Sequence, residues 1–204
     1  MNSFADWLFY LEWLAVALGI LNVGLLIRRS IWNYPFGIAM VTLYFVIFAD
    51  ARLYGDAGLQ VFFLVTQIYG WSRWHKVQAQ AGEVVVNWSR WPVLLAVFAG
   101  TVVLALGLGV AMDRFTDAAA PYPDAAIAMM SVTAQVLMVL RRIENWIYWI
   151  AVDCLAIWLF WIRDLAPTSG LYLVFLVMAS IGLWQWIKAQ RIKERRIEAQ
   201  RAPA

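Results

Sequence analysis

Long apolar runs alternate with short polar connectors along the whole chain. Seven of these runs are close to the length of about 20 residues that a membrane-crossing helix needs. They span residues 4–27, 32–50, 54–74, 92–112, 123–140, 145–163 and 168–188. The longest connector, from Lys76 to Trp91, is too short to form a soluble domain. The pattern therefore predicts an all-α integral membrane protein with seven transmembrane helices.

Composition agrees with a membrane protein and excludes several other classes. The 204 residues are 64% hydrophobic and only 14% charged, which is more apolar than a soluble domain. The basic residues punctuate apolar runs instead of forming one soluble face, so the net charge of +3 does not indicate a nucleic-acid partner. Cys154 and His75 are the only residues of their kinds. We therefore expect no disulfide, no bound metal, no cofactor and no catalytic cluster, and hence no enzyme.

Charge is distributed unevenly between the two sides of the predicted helices. Thirteen of the 16 Lys and Arg residues follow the first, third, fifth and seventh runs, and the other side holds only Arg52, Arg114 and Arg163. Loops rich in Lys and Arg stay in the cytoplasm. We therefore expect a multi-pass protein with a periplasmic N-terminus and a cytoplasmic C-terminus.

The second half of the chain repeats the first. A shift of 112 residues aligns residues 29–74 with 141–186 without a gap, and 15 of the 46 positions are identical. The informative identities are those at Arg29/Arg141, Asn33/Asn145, Gly70/Gly182 and Trp74/Trp186. Because equivalent helices lie four crossings apart, they run in the same direction, which predicts two parallel three-helix repeats joined by a linker helix, a 3+1+3 architecture.

This duplication divides the chain into four predicted segments. They are a first three-helix bundle (1–75), a cytoplasmic loop with linker helix 4 (76–113), a second three-helix bundle (114–188) and a basic cytoplasmic tail (189–204). Among transporters, such repeats imply a pathway between the two halves.

Polar side chains recur at helical spacing inside several of the apolar runs. Such residues are costly in a bilayer and usually face the bundle interior or a water-filled cavity. The stripes comprise Asn145, Trp149 and Asp153; Gln60, Gln67 and Trp71; Asn33, Gly37 and Tyr44; and Ser131 and Gln135. Amides and aromatic faces with one carboxylate indicate an uncharged or weakly cationic ligand that carries a ring and hydroxyls. A phosphorylated ligand would require an Arg cluster. None of these stripes contains an arginine, so the pattern does not favour such a ligand.

The role of Asp153 stays open at this level. Asp153 could pair with a cationic ring, act as a proton site, or hydrogen-bond a neighbouring helix. Six of the 13 tryptophans are expected in the interfacial belts of the membrane. They are Trp7, Trp13, Trp158, Trp161, Trp184 and Trp186.

Two stretches carry a family resemblance. Residues 32–74, with the LYGDAGLQ motif at 53–60, and residues 141–160, with the ENW..W motif at 144–149, resemble the PnuC family of bacterial vitamin transporters. The resemblance implies import of nicotinamide riboside across the inner membrane by facilitated diffusion, with trapping by a cytoplasmic kinase and no ATPase subunit. It implies substrate contacts first at Asn145, Trp149 and Gln60. A second group of contacts is Trp32, Asn33, Gln67, Trp71 and Gln135, and Tyr44 and Asp153 complete the candidates.

Other functions remain open at this stage. Members of the family are also linked to thiamine or riboflavin, and Asp153 could face the cationic thiazolium of thiamine. A membrane receptor would bind ligand without carrying it. One copy of the chain suffices for a pathway, and a homo-oligomer is equally compatible with the sequence.

Overall fold

The computed structural model describes residues 3–201, with side chains throughout except at positions 3–6, 8, 54, 167 and 201. Seven helices make up this part of the chain. They are α1 (Ser3–Ile27), α2 (Asn33–Asp50), α3 (Tyr54–Ala81), α4 (Trp91–Phe115), α5 (Pro121–Val139), α6 (Asn145–Ile162) and α7 (Ala166–Arg201). The predicted all-α fold class is confirmed.

Six of the seven helices in the described part are long and apolar enough to cross a membrane, and the exception is α3. Its apolar run is interrupted by Gln60, Gln67 and Arg73, which lower its hydropathy. Polar residues of this kind are expected where a helix faces the interior of a bundle.

Two helices extend beyond the predicted apolar runs. α3 continues to Ala81 and ends where Gly82 adopts φ 74°, with its N–H donating to the Gln78 carbonyl at 2.8 Å. A left-handed glycine is a common helix terminator. α7 continues to Arg201, so the described part of the basic segment 189–204 is helical. Residues 1–2 and 202–204, at the ends of the predicted first bundle and tail, lie outside the described residues.

The chain separates into two compact units, with the division between Val84 and Val85. In the first unit, α2 is the middle helix and packs against both α1 and α3. In the second unit, α6 packs in the same way against α5 and α7, and α5 also packs against α4. The two three-helix sets therefore have the same helix order, with the extra helix α4 attached to the second.

Backbone strain recurs at equivalent positions of the two repeats. Within residues 3–201, positive φ values at residues other than glycine occur at Arg29 (56°), Arg52 (59°), Arg141 (58°) and Asp164 (58°). These are two pairs separated by 112 residues. Because residues with a Cβ rarely adopt this conformation, the same strained turn at both ends of each middle helix is strong structural evidence for duplication.

A glycine and two aromatic rings form the same cluster in each unit, which we call the aromatic–glycine cluster. In the first unit, Gly70 lies against the ring of Tyr34, which meets Trp74 edge-on at a centroid distance of 5.4 Å. In the second, Gly182 lies against Trp146, which meets Trp186 edge-on at 5.5 Å. Both clusters are buried at equivalent positions.

This cluster corrects one sequence prediction. The expected belt position of Trp186 is wrong, because its side chain is fully buried against Trp146. The other five tryptophans of that group are exposed on the surface of the chain. The difference arises because Trp186 sits one turn beyond Gly182, where the neighbouring helix approaches closely enough to bury a large ring.

In the second unit, the connector before α4 is bound to the turn before α6. The Asn87 N–H donates to the Arg141 carbonyl at 3.2 Å, and the Ile143 N–H donates to the Asn87 carbonyl at 3.2 Å. The Ser89 N–H donates to Oε1 of Glu144, a carboxylate that is 3% exposed. The carboxylate therefore holds this loop beside the start of helix α6.

Candidate functional site

Asn33 and Asn145 begin the middle helices of the two repeats and have identical surroundings. Each is fully buried. Asn33 Nδ2 donates to the Ser30 carbonyl at 2.6 Å, and Asn145 Nδ2 donates to the Arg142 carbonyl at 2.6 Å. In both side chains the carbonyl oxygen Oδ1 is buried without a hydrogen-bond partner. One end of each amide therefore stabilises the turn, and the other end is free to accept a hydrogen bond.

Two further amides converge on α2 in the first unit. Gly37 lies on α2, and a Cβ added there would meet Gln67 Nε2 most closely and would be 3.1 Å from Asn22 Oδ1. Asn22 comes from α1 and Gln67 from α3; their side chains are 8% and 3% exposed. Neither Asn22 Oδ1 nor Gln67 Oε1 has a hydrogen-bond partner. The absence of a side chain at Gly37 is what allows the two amides to meet.

Helical spacing of polar residues indicated Gln67 but not Asn22. Asn22 is isolated in an apolar run, with no polar residue three or four positions away on either side. The available signal was the cost of a lone amide in a membrane helix, which usually indicates an inward-facing residue.

The equivalent level of the second unit has different chemistry. The positions 112 residues after Asn22, Gly37 and Gln67 are Ala134, Trp149 and Ala179. Ala134 and Ala179 are buried, and Trp149 is half-buried. The first repeat has two amides beside a glycine, and the second has an indole with alanines at the matching positions. At this level the first repeat therefore has polar side chains on the outer helices, whereas the second has one large aromatic side chain on the middle helix.

The second unit buries two more of the predicted polar residues. Gln135 on α5 is 4% exposed and its Nε2 has no hydrogen-bond partner. Asp153 on α6 is also 4% exposed. Asp153 lies one turn beyond Trp149 and two turns beyond Asn145, so all three share one face of α6.

The remaining candidates are less enclosed. Tyr44 and Gln60 are half-buried, and Tyr44 stacks on Phe48 with ring centroids 5.5 Å apart. Trp71 is 39% exposed and Trp32 is 64% exposed. The fold thus buries Asn33, Gln67, Gln135, Asn145 and Asp153, whereas the two tryptophans of the first unit lie at its surface.

Comparison with known proteins assigns the family. Residues 9–188 match the model of the family described as nicotinamide mononucleotide transporter. The chain belongs to this family. This confirms the resemblance that the LYGDAGLQ and ENW..W motifs indicated, and it makes the duplicated helical architecture that of a transporter family.

Individual members of the transporter family are similar over most of their length. The nicotinamide riboside transporter PnuC of Escherichia coli is 29% identical over 89% of this chain and 87% of its own. The riboflavin/roseoflavin transporter RibM of Streptomyces davaonensis is 28% identical over 85% of this chain and 83% of its own. A crystal structure of the vitamin B3 transporter PnuC superposes with a TM-score of 0.72, at 27% identity, covering 94% and 93% of the two chains.

Proposed function

We propose that this protein carries nicotinamide riboside across the bacterial inner membrane by facilitated diffusion. Its N-terminus would be periplasmic and its C-terminus cytoplasmic, as the distribution of basic residues favours. The family and the similarity to a nicotinamide riboside transporter support the substrate class. The observation that carries the proposal is the set of buried amides with free acceptor or donor atoms, accompanied by a half-buried indole.

The buried polar groups favour a riboside over its phosphorylated form. Among the described residues, no Lys or Arg is buried as a whole, although Nη1 of Arg141 is buried; the buried charged residues are Glu144 and Asp153, both acidic. A phosphate would require a cluster of basic donors, and the buried Asp153 would repel it. The unphosphorylated ligand carries hydroxyls, a carboxamide and a cationic pyridinium ring, which suit amides, a carboxylate and an indole face.

We assign each predicted contact a role that its chemistry allows. Trp149 would stack on the pyridinium ring, because a cation lies favourably on an indole face. Asp153 would balance the positive charge of the ring. The amides Asn145, Gln60, Asn33, Gln67 and Gln135 would bind hydroxyls and the carboxamide. Tyr44 and the more exposed Trp32 and Trp71 would contact substrate only where it enters or leaves.

The transport cycle in this proposal needs neither an ATPase subunit nor an ion gradient. A cytoplasmic kinase that phosphorylates the riboside would add negative charge to the vitamin. The phosphorylated product would no longer fit a site without buried basic residues, so import would become effectively one-way. The protein itself would be a passive carrier and would catalyse no reaction.

Riboflavin is the second candidate substrate. The similarity to RibM favours riboflavin over thiamine as the alternative. A flavin has a larger ring system than nicotinamide and a ribityl chain in place of a ribose, so it would need more space beside Trp149.

A binding panel on detergent-purified protein separates these candidates. We expect nicotinamide riboside to raise the unfolding temperature by several degrees through preferential binding to the native state. Nicotinamide mononucleotide, thiamine and riboflavin at the same concentration should raise it much less. A larger shift with riboflavin or with the mononucleotide would contradict the proposed substrate.

A further inference from the structure

The packing of the first unit does not explain why Asn22 and Gln67 are buried beside Gly37. Asn22 and Gln67 are both more than nine-tenths buried, and the oxygens Asn22 Oδ1 and Gln67 Oε1 have no hydrogen-bond partner. A buried acceptor without a partner costs about 1–3 kcal/mol. A helix bundle that needed only packing would place apolar residues at these two positions.

The second repeat shows what packing alone requires at this level. At the positions equivalent to Asn22 and Gln67 it has Ala134 and Ala179, both buried. The same helix order is therefore built with alanines. The two amides are an addition to the scaffold in the first repeat, and Gly37 is the residue that leaves them room.

The geometry places the two amides at one point. Both approach the position that a Cβ of Gly37 would occupy, although Asn22 comes from α1 and Gln67 from α3. The polar atoms nearest that position are Asn22 Oδ1, which accepts a hydrogen bond, and Gln67 Nε2, which donates one. A primary carboxamide, with its own N–H donor and carbonyl acceptor, complements this pair. A carboxylate has no donor for Asn22 Oδ1 and would lose that hydrogen bond.

We propose that Asn22, together with Gln67, forms the subsite that recognises the carboxamide of the substrate. The inference rests on the proposed function, because it assigns one end of the proposed ligand. It makes Asn22 a specificity-determining residue that distinguishes an amide from the corresponding acid. Asn22 contributes an acceptor and Gln67 a donor, and Gly37 keeps the space between the helices open.

The test compares nicotinamide riboside with nicotinic acid riboside, which differs only in having a carboxylate in place of the carboxamide. Binding to detergent-purified protein is measured by titration calorimetry for wild type, Asn22→Ala and Gln67→Ala. Alanine is the residue that the second repeat has at both positions, so each variant is compatible with the fold. Thr101→Ala is the matched control, since it removes a buried hydroxyl that bonds Thr133 at 2.8 Å between α4 and α5.

We expect wild type to bind the amide at least about tenfold more tightly than the acid, which is the worth of one or two hydrogen bonds. Asn22→Ala should weaken binding of the amide about tenfold and leave binding of the acid nearly unchanged, so that the preference disappears. Gln67→Ala should weaken binding of both ligands, because Nε2 can donate to a carboxamide or a carboxylate oxygen, and Thr101→Ala should leave both affinities unchanged.

Three results would overturn the subsite. Equal loss of both ligands in Asn22→Ala would make Asn22 structural, and equal binding of amide and acid by wild type would remove the specificity; the proposed function would stand in both cases. Failure of wild type to bind either riboside would overturn the proposed function together with the subsite.

Discussion

The two repeats have the same packing where their middle helices begin and different chemistry one turn further along. At the beginning, Asn33 and Asn145 make the same hydrogen bond to the preceding turn at 2.6 Å. One turn later, α2 has Gly37 where α6 has Trp149. The shared part fixes how three helices pack, and the divergent part is where the halves became specialised.

The comparison separates scaffold from recognition by a physical criterion. Residues of the aromatic–glycine cluster fill space and bury their rings in both units, so they stabilise the fold. Asn22, Gln67 and Gln135 instead bury polar atoms without partners, which lowers stability unless a ligand compensates.

The largest effect is expected from filling the close approach in each aromatic–glycine cluster. A Cβ at Gly70 would lie 2.7 Å from the Tyr34 ring, and one at Gly182 would lie 2.6 Å from the Trp146 indole. We expect Gly70→Ala and Gly182→Ala each to destabilise the protein by about 2–3 kcal/mol through overpacking. The measurement is the unfolding temperature in detergent, followed by tryptophan fluorescence.

A matched pair of glycines provides the control for this prediction. Gly58 and Gly170 are also equivalent in the two repeats, and nothing lies within 4 Å of a Cβ added to either. Gly58→Ala and Gly170→Ala should therefore be neutral or stabilise their helices by up to about 1 kcal/mol. If all four variants changed the unfolding temperature by the same amount, close packing at Gly70 and Gly182 would not be what stabilises the two repeats.

A smaller effect, on binding and not on stability, is expected at the divergent level. Trp149→Ala should weaken nicotinamide riboside binding by about 1–2 kcal/mol, or roughly fivefold to thirtyfold, because a stacking face is lost. Trp158→Ala is the control on the same helix, since its side chain is 52% exposed. Calorimetry that finds the same affinity in both variants would remove Trp149 from the substrate contacts.

Helix positions were largely predictable from the sequence because bilayer thickness sets the length of apolar runs. The end of α3 was not, because Arg73 and Lys76 mark the edge of the apolar region, whereas the helix continues until Gly82 allows a left-handed turn. Charges reveal where the membrane ends, but backbone conformation decides where a helix ends.

Burial of the polar stripes was also predictable, whereas their partners were not. Helical spacing identified Gln67 and Asn145 as inward-facing, and both are buried. The aromatic–glycine cluster was not predicted, because Tyr34 and Trp146 differ and only its Gly and Trp positions are identical in the two repeats. Contacts between helices such as that of Asn22 with Gly37 depend on tertiary packing, which periodicity within one helix does not encode.

Uptake into liposomes containing only this protein tests the central claim most directly. Labelled nicotinamide riboside should enter until its inside and outside concentrations are equal, without ATP and at a rate that a protonophore does not change. Enclosing a riboside kinase with ATP should then raise the internal label well above equilibrium. Uptake no faster than in empty liposomes would contradict the account. It would also be contradicted if uptake without the enclosed kinase required ATP or a proton gradient.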